Sequence, residues 1–253
     1  LILFQLLKGY SQQDLDPMYM AQSSFGAISS KLYTKLHNEL NQWLDTLLEN
    51  AFSNIKLRMA FAQLSNTIMF KSITLMLDGH DSRINWFSKY NIDASKKVHF
   101  FYKLKGLGLR TQVLYDVNGF FIAASTSEPC AKNNDGSMLV KWFKLSKYIT
   151  KHDATMVDGG YKLYIKKFVA NAVKEGYKLS ANNFLTPKRK QVNIDFATCE
   201  LEYNTKFGST RSAIETAFAG LVNTFAYFSH DKTHSKLDSA SFNLQLKLAF
   251  VLL

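Results

Sequence analysis

Residues 110–124 read RTQVLYDVNGFFIAA, and the rest of the fold can be read outward from them. Arg110–Val117 alternates between polar and apolar positions, and so does Phe120–Ala124, at the two-residue period of a strand. Asn118-Gly119 between them carries the signal of a type I′ turn. The segment is expected to be an antiparallel hairpin. Upstream, Ile73–Leu77 is a short apolar run closed by Asp78-Gly79, as expected of a strand buried on both faces. Lys97–Lys103 reads as a short further strand.

Downstream the period changes. Met138, Leu139, Trp142, Leu145 and Ile149 have helical spacing over 135–149. Ala154–Val157 is another short strand, closed by Asp158-Gly159-Gly160-Tyr161. Residues 162–178 read as helical. Residues 179–208 are polar, with Pro187 and Gly208, and read as irregular. Ser209 or Thr210 can cap a helix over 211–228, where Ile214, Ala217, Phe218, Leu221, Val222 and Phe225 form one stripe. A last helix is expected from near Ser239. The order strand, hairpin, helix, strand, helix, insertion, helix implies an α/β layered domain with a mixed sheet.

Residues 1–66 read as helical, from Leu32, Leu36, Leu40, Trp43 or Leu44, Leu47, Phe52 and Ile55. A shorter helix over 12–23, a turn at Ser24-Phe25-Gly26-Ala27 and the longer helix make a helix-turn-helix pattern. Two regions follow: 1–66, helical, and 67–253, the α/β domain with a basic insertion at about 162–210.

Composition narrows the function. At 253 residues and 47% hydrophobic, the chain can bury a substantial core, which excludes wholesale disorder. Two cysteines, Cys130 and Cys199, exclude a disulfide framework and a Cys-rich zinc site and fit a reducing compartment. No apolar run reaches the length of a membrane span. The chain starts at Leu1 and ends in an apolar run, as a fragment of a longer reading frame would. Its net charge is +11, and residues 141–190 hold twelve Lys or Arg against three acids. Such a balance points to a polyanion, most often nucleic acid.

The candidate chemistry lies in three acids. Asp78 and Asp158 each follow an apolar strand. A carboxylate there stays charged only if cations or hydrogen bonds compensate it. One Asp-Gly dipeptide alone is ordinarily a turn. Glu215 adds a third acid, beside Ile214 near the edge of the buried stripe. Three carboxylates suffice to hold two Mg²⁺ or Mn²⁺ ions, which prefer hard oxygens and retain waters. Such ions activate a water and relieve charge on the leaving oxygen of a phosphodiester. The Lys162, Lys166 and Lys167 face and the Lys188-Arg189-Lys190 run are candidate DNA contacts, with Arg211. A solvated face is the ordinary alternative. The histidines lack zinc-ligand spacing.

These blocks resemble the DDE transposases of the PIF/Harbinger kind. Leu77-Asp78-Gly79 is similar to the first-aspartate block. Tyr102-Lys103-Leu104-Lys105 with 112–119 resembles the hairpin block. Pro129 with Asn134-Asp135 resembles the Pro-Gly…His-Asp block. Asp158-Gly159-Gly160-Tyr161 resembles the second-aspartate block, and 211–218 the Arg…Glu…Phe block. The resemblance implies an RNase H-like fold and a catalytic, metal-binding triad of Asp78, Asp158 and Glu215. It further implies two divalent ions, Mg²⁺ or Mn²⁺, cut-and-paste transposition on double-stranded DNA and a nuclear location. A homodimer and a separate accessory DNA-binding protein come with it.

The sequence departs from the pattern in places. His80-Asp81 follows Gly79, so Asp81 rivals Asp78; Asp78, ending the apolar run, is preferred, and Asp81 falls in an expected loop. Cys130 stands for the block's Gly and Asn134 for its His. Asp135 either caps the next helix or supports the site, the cap being preferred. Asp116 reads as turn chemistry. A transposase-derived DNA-binding protein without catalysis is the alternative function, and an RNase H-like nuclease on RNA or hybrids is a third.

Overall fold

A computed structural model describes residues 31, 39, 41–46, 55–85, 100–190, 192–228, 234–235 and 239–253. The expected short helix and turn over 12–27, with most of the longer helix that follows, lie outside the described residues, as do residues 97–99 of the expected strand. Residues 41–46 are helical, with Leu44 fully buried and Trp43 exposed. Asp45 meets Lys247 at 2.9 Å.

The described elements run in the order α1 (Ile55–Ser65), β1 (Ile73–Asn85), β2 (Phe100–Phe101), β3 (Gly106–Asp116), β4 (Phe121–Ala124), β5 (Glu128–Pro129), α2 (Asp135–Lys141), β6 (Ala154–Val157), α3 (Lys162–Lys174), β7 (Phe184–Leu185), α4 (Thr198–Thr224), β8 (His234–Ser235) and α5 (Ser239–Leu252). The strands form one mixed sheet with the central order β2-β3-β1-β6-β7; β4 and β5 pair with β3, and β8 pairs with β1. β1 lies antiparallel to β3 and parallel to β6. β6 and β7 are parallel neighbours separated in sequence by α3, the crossover that parallel strands require.

Each face of the sheet carries its own core. Leu75, Leu77, Leu114 and Val157 pack with Leu139, Leu145, Ile165 and Phe168 from the α2–α3 side. Met76, Val113 and Met156 pack with Phe207, Ile214, Leu221, Phe242, Leu246 and Phe250 from α4 and α5. The result is a mixed sheet between two helical layers, consistent with the expected RNase H-like fold. Among the described residues no helix is long and apolar enough to cross a membrane.

The α2–α3 contact is tight at Gly136, where an added Cβ would overlap the Tyr164 ring. Gly136→Ala is expected to lower stability by about 1–3 kcal/mol through overpacking, despite the better helix propensity of alanine. Urea unfolding at fixed pH measures it.

Several local expectations are corrected. β1 does not stop at Asp78-Gly79. It continues to Asn85 because β3 runs beside it, pairing Asp78 with Val113 and Ile84 with Leu107. A continuous ladder satisfies the backbone there and overrides the turn signal. Asp81 is therefore on a strand, opposite Arg110, rather than in a loop. The hairpin forms, but its turn is not type I′. Among the described residues Asn118 is not one of those with positive φ, whereas Gly119 has φ 99°. The Asp116 carboxylate accepts from the amides of Asn118 at 2.8 Å and Phe120 at 3.1 Å, which closes the turn through a side chain.

Residues 179–208 are not wholly irregular: β7 pairs with β6, and α4 begins at Thr198. The expected capping residues Ser209 and Thr210 lie inside α4, where the Thr210 hydroxyl donates to the Lys206 carbonyl at 2.9 Å. Asn134, not Asp135, caps α2, accepting from the Ser137 amide at 2.8 Å. α2 ends at Lys141, and a 3₁₀ turn over Phe143–Lys147 continues its apolar spacing. α3 ends at Lys174, and Gly176 beyond it takes φ 90°, which favours glycine. The strand expected up to Lys103 is β2, followed by a 3₁₀ turn at Tyr102–Leu104.

Candidate active site

The register of two strands brings the first two acids together. Leu77 pairs with Val157 in the parallel β1–β6 ladder. The next residue on each chain is Asp78 and Asp158. Neighbouring strands run about 4.8 Å apart, so these aspartates leave the sheet side by side. Leu77 and Val157 pack toward α2 and α3. Alternation then turns Asp78 to the opposite face, toward α4. β6 ends at Val157 while β1 continues, so the pair sits at a step in the sheet.

Each aspartate accepts a hydrogen bond from the amide that follows it, at 3.0 Å from Gly79 to Asp78 and at 2.6 Å from Gly159 to Asp158. α4 delivers Arg211 and Glu215 one turn apart. The Arg211 guanidinium donates from Nη2 to Asp78 Oδ2 at 2.6 Å and from Nη1 to Glu215 Oε1 at 2.9 Å. The Glu215 side chain is 58% exposed. It thus stands in the middle of a long helix, on a solvent-facing side rather than at the edge of the buried stripe. Arg211, a candidate DNA contact, joins it to Asp78.

Asp135, at the start of α2, is a carboxylate of the same neighbourhood. An added Cβ on Gly79 would lie 2.6 Å from its Oδ1, so glycine is what admits this carboxylate against β1. Arg110 holds Asp135 through Nη1 at 3.2 Å. The same guanidinium grips Asp81 with two bonds, at 2.6 and 2.8 Å, and covers the Phe101 ring at 4.8 Å. Asp81, the rival first aspartate, is committed to Arg110. Gln112 braces the arrangement from β3, donating to the Asp135 carbonyl at 2.6 Å and the Tyr161 hydroxyl at 3.0 Å.

Burial raises the Asp78 carboxyl to about 6, opposed by Arg211 and by the Gly79 amide and reinforced by Asp135. Burial also raises Asp135, which feels Asp81 and Asp158 as further negative neighbours while Arg110 opposes them. Unfolded, Asp78 titrates near 3.8. Between about 4 and about 6 the folded chain keeps a proton that the unfolded chain has lost. The stability contributed by protonated Asp78 is full below that window and is lost as pH rises through about 6, by ~3 kcal/mol. Urea unfolding from pH 4 to 7 with EDTA should show a steeper fall in the parent than in Asp78→Asn, which keeps the raised Asp135. Equal slopes in both chains would refute it.

Arg110 and Gln112 were missed as site residues, and Asp135 was weighed as a support of the site but taken as the cap of α2. The Asn134-Asp135 block was the one available signal. Nothing local marks Arg110, because its partners lie on β1 and α2. His80 is buried against the Phe218 ring at 5.1 Å, a structural position. His99 and His230 lie outside the described residues.

Two of the candidate basic residues, Lys162 and Arg189, lie next to the Asp158 turn. Lys162 opens α3 one turn after it, and Lys162, Lys166 and Lys167 are exposed. Lys188, Arg189 and Lys190 are exposed on the chain leading away from β7. Arg189 donates to the Gly159 carbonyl, which ties this segment to the Asp158 turn.

Among the described residues no three His, Cys, Asp or Glu side chains converge as a ready metal-holding group. Asp78 and Asp158 present the hard oxygens that Mg²⁺ and Mn²⁺ take. Glu215 is turned to Arg211, whose guanidinium supplies the positive charge between Asp78 and Glu215. The residues therefore fit a divalent ion at the aspartate pair, with the third acid engaged by arginine.

No curated protein and no solved structure matches the chain. Residues 77–252 match the DDE superfamily endonuclease family, a family that generally uses divalent metals. That span takes in Asp78, Asp158, Glu215 and α5, well over half of the sequence, and the chain belongs to the DDE superfamily endonuclease family.

Proposed function

We propose that the chain is a DDE transposase of the PIF/Harbinger kind, in which Asp78, Asp158 and Glu215 hold two Mg²⁺ or Mn²⁺ ions and cut DNA at transposon ends. The observation that carries this reading is the Leu77–Val157 pairing, which sets Asp78 beside Asp158. Bound there, the ions would activate water and neutralise charge on the leaving oxygen. The chain's own residues do the rest. Asp78 and Asp158 are aimed by the sheet and by the amides of Gly79 and Gly159. Lys162, Lys166, Lys167, Lys188, Arg189 and Lys190 hold backbone phosphates around Asp158, a contact that weakens with salt. Water adds to phosphorus as the bond to the 3′ oxygen breaks. The freed 3′-OH then attacks a phosphodiester of target DNA, expelling its 3′ oxygen.

Residues 67–253 form the nuclease domain and 1–66 the DNA-reading helix-turn-helix. Double-stranded DNA is the partner, with a homodimer and a separate accessory DNA-binding protein as further partners, in the nucleus. The alternative is a transposase-derived DNA-binding protein without catalysis. The ion pairs of Arg211 with Asp78 and Glu215 favour it, because they leave the triad engaged.

Nicking of labelled duplex by the purified chain with Mg²⁺ or Mn²⁺ separates the two. Metal-dependent nicking supports the transposase. Tight, salt-sensitive binding without nicking supports the alternative. Preference for an RNA-containing duplex points to a nuclease on hybrids instead.

A further inference from the structure

We infer that Arg211 is an exchangeable cation of the site: it neutralises Asp78 and Glu215 in the metal-free chain and moves to a DNA phosphate when a divalent ion enters. This rests on the proposed metal-binding role of the acids and adds to it a coupling between metal and DNA.

Three observations carry it. The first is position. Arg211 bonds Asp78 Oδ2 at 2.6 Å and Glu215 Oε1 at 2.9 Å, and it also feels the charge of Asp158. One guanidinium therefore bonds two of the acids and lies in the field of the third. A divalent ion on Asp78 and Glu215 and the guanidinium in its present place would be like charges contending for the same oxygens.

The second is incomplete satisfaction. Arg211 Nε is buried without a hydrogen-bond partner, so the planar fork uses only its two outer nitrogens. Nε and an Nη together match the two oxygens of a phosphate, which guanidinium binds in a two-pronged manner. The present carboxylates leave that edge unused.

The third is exposure. The Arg211 side chain is 22% exposed and that of Glu215 is 58% exposed, whereas Asp78 is held at 14% by the sheet. The fixed member of the group is the strand aspartate. The two helix members reach it from α4, on the more exposed side.

The exchange makes metal and DNA binding mutually supportive. Metal frees the guanidinium for phosphate, and phosphate draws it off the acids, so each tightens the other by one factor. Removal of Arg211 releases the acids to the metal but also removes the phosphate contact.

The test is Mn²⁺ binding to the whole chain, followed by the loss of the free-ion EPR signal without DNA. Four chains are compared: the parent, Arg211→Met, Asp158→Asn and the double variant. Arg211→Met should bind Mn²⁺ about tenfold more tightly than the parent. Asp158→Asn should weaken binding in both backgrounds. Equal or weaker binding by Arg211→Met, with the Asp158→Asn effect intact, would overturn the exchange and leave the metal site standing. Mn²⁺ binding indifferent to Asp158→Asn in every chain would overturn the metal reading itself, and the exchange with it.

If Arg211→Met fails to fold, as judged by thermal unfolding, the parent and Arg211→Lys decide. Lysine keeps the charge without the fork. Fluorescence anisotropy of a labelled duplex should then show Mn²⁺ tightening DNA binding about tenfold in the parent and several-fold less in Arg211→Lys. The same gain in both chains, or none in the parent, refutes the exchange.

Discussion

Asp158→Asn is expected to lower metal-dependent nicking of duplex DNA by at least about a thousandfold, with little change in salt-sensitive DNA binding. Charge neutralisation at a transferring phosphoryl group contributes several kcal/mol, and about 4 kcal/mol corresponds to three powers of ten in rate. Asp158 has no guanidinium bonded to it among the hydrogen bonds of the site. Among the described residues its carboxylate bonds only the Gly159 amide, at 2.6 Å, and an asparagine carbonyl can keep that bond. The substitution therefore removes charge with little change in shape. The lysines of α3 and the 188–190 segment are untouched, so the duplex should still bind. Nicking rates under single-turnover conditions and anisotropy of the same duplex are the two measurements. Retained nicking would remove Asp158 from the site. Parallel loss of nicking and binding would point to a disturbed fold instead.

Asp153→Ala should produce the largest loss of stability. The Asp153 side chain has no exposure, and that of Arg58 has 6%, at an N–O distance of 3.1 Å. Asp153 also accepts from the Thr150 amide and hydroxyl, each at 2.8 Å, and from the Thr74 hydroxyl. One carboxylate thus links α1, the start of β1 and the turn before β6. Its removal leaves a buried guanidinium facing a cavity and strips several donors of their acceptor. Breaking a buried pair in this way costs about 3–5 kcal/mol. Lys206→Ala, which breaks the exposed Glu202–Lys206 pair at 2.5 Å, should stay within about 0.5 kcal/mol. Urea unfolding of the two variants beside the parent tests the contrast. Comparable losses in both would show that burial is not what makes the Arg58 pair strong.

Asp153 also shows where reading by local pattern stops. Its sequence neighbours are polar and basic, and nothing in them distinguishes it from a turn acid. Its burial follows from Arg58, 95 residues away, and Thr74, 79 residues away. Asp158, five residues on, was legible because its signal is local: an apolar strand, then Asp-Gly-Gly-Tyr. The hairpin at 110–124 was legible for the same reason, since alternation and a turn glycine are properties of consecutive residues. Its turn type was not, because Asp116 reaches forward to the Asn118 and Phe120 amides and sets the backbone by a side-chain contact.

The length of β1 was misread for a related cause. Asp78-Gly79 has turn composition, but β3 continues alongside and pairs the strand through Ile84. A partner strand, rather than propensity, decides whether such a segment stays extended. Once β1 is extended, Asp81 necessarily meets Arg110, and the rivalry between Asp78 and Asp81 gains a physical basis. The start of α4 was missed because 198–210 carries few apolar residues. Phe207 and Tyr203 pack there against Phe70, a contact that no helical period discloses.

By itself the sequence determined the layered α/β class, the hairpin, the place of Asp158 after its apolar strand, and the basic character of 141–190. These depend on periodicity and composition, which are carried by near neighbours along the chain. The tertiary structure decided which acids stand together and what neutralises them. Asp78 meets Asp158 through strand register, Asp135 reaches β1 through the missing side chain of Gly79, and Arg211 joins Asp78 across 133 residues of sequence. The physical reason is that charge interactions depend on separation in space and on the exclusion of water, and neither exists until the sheet and its helices have packed.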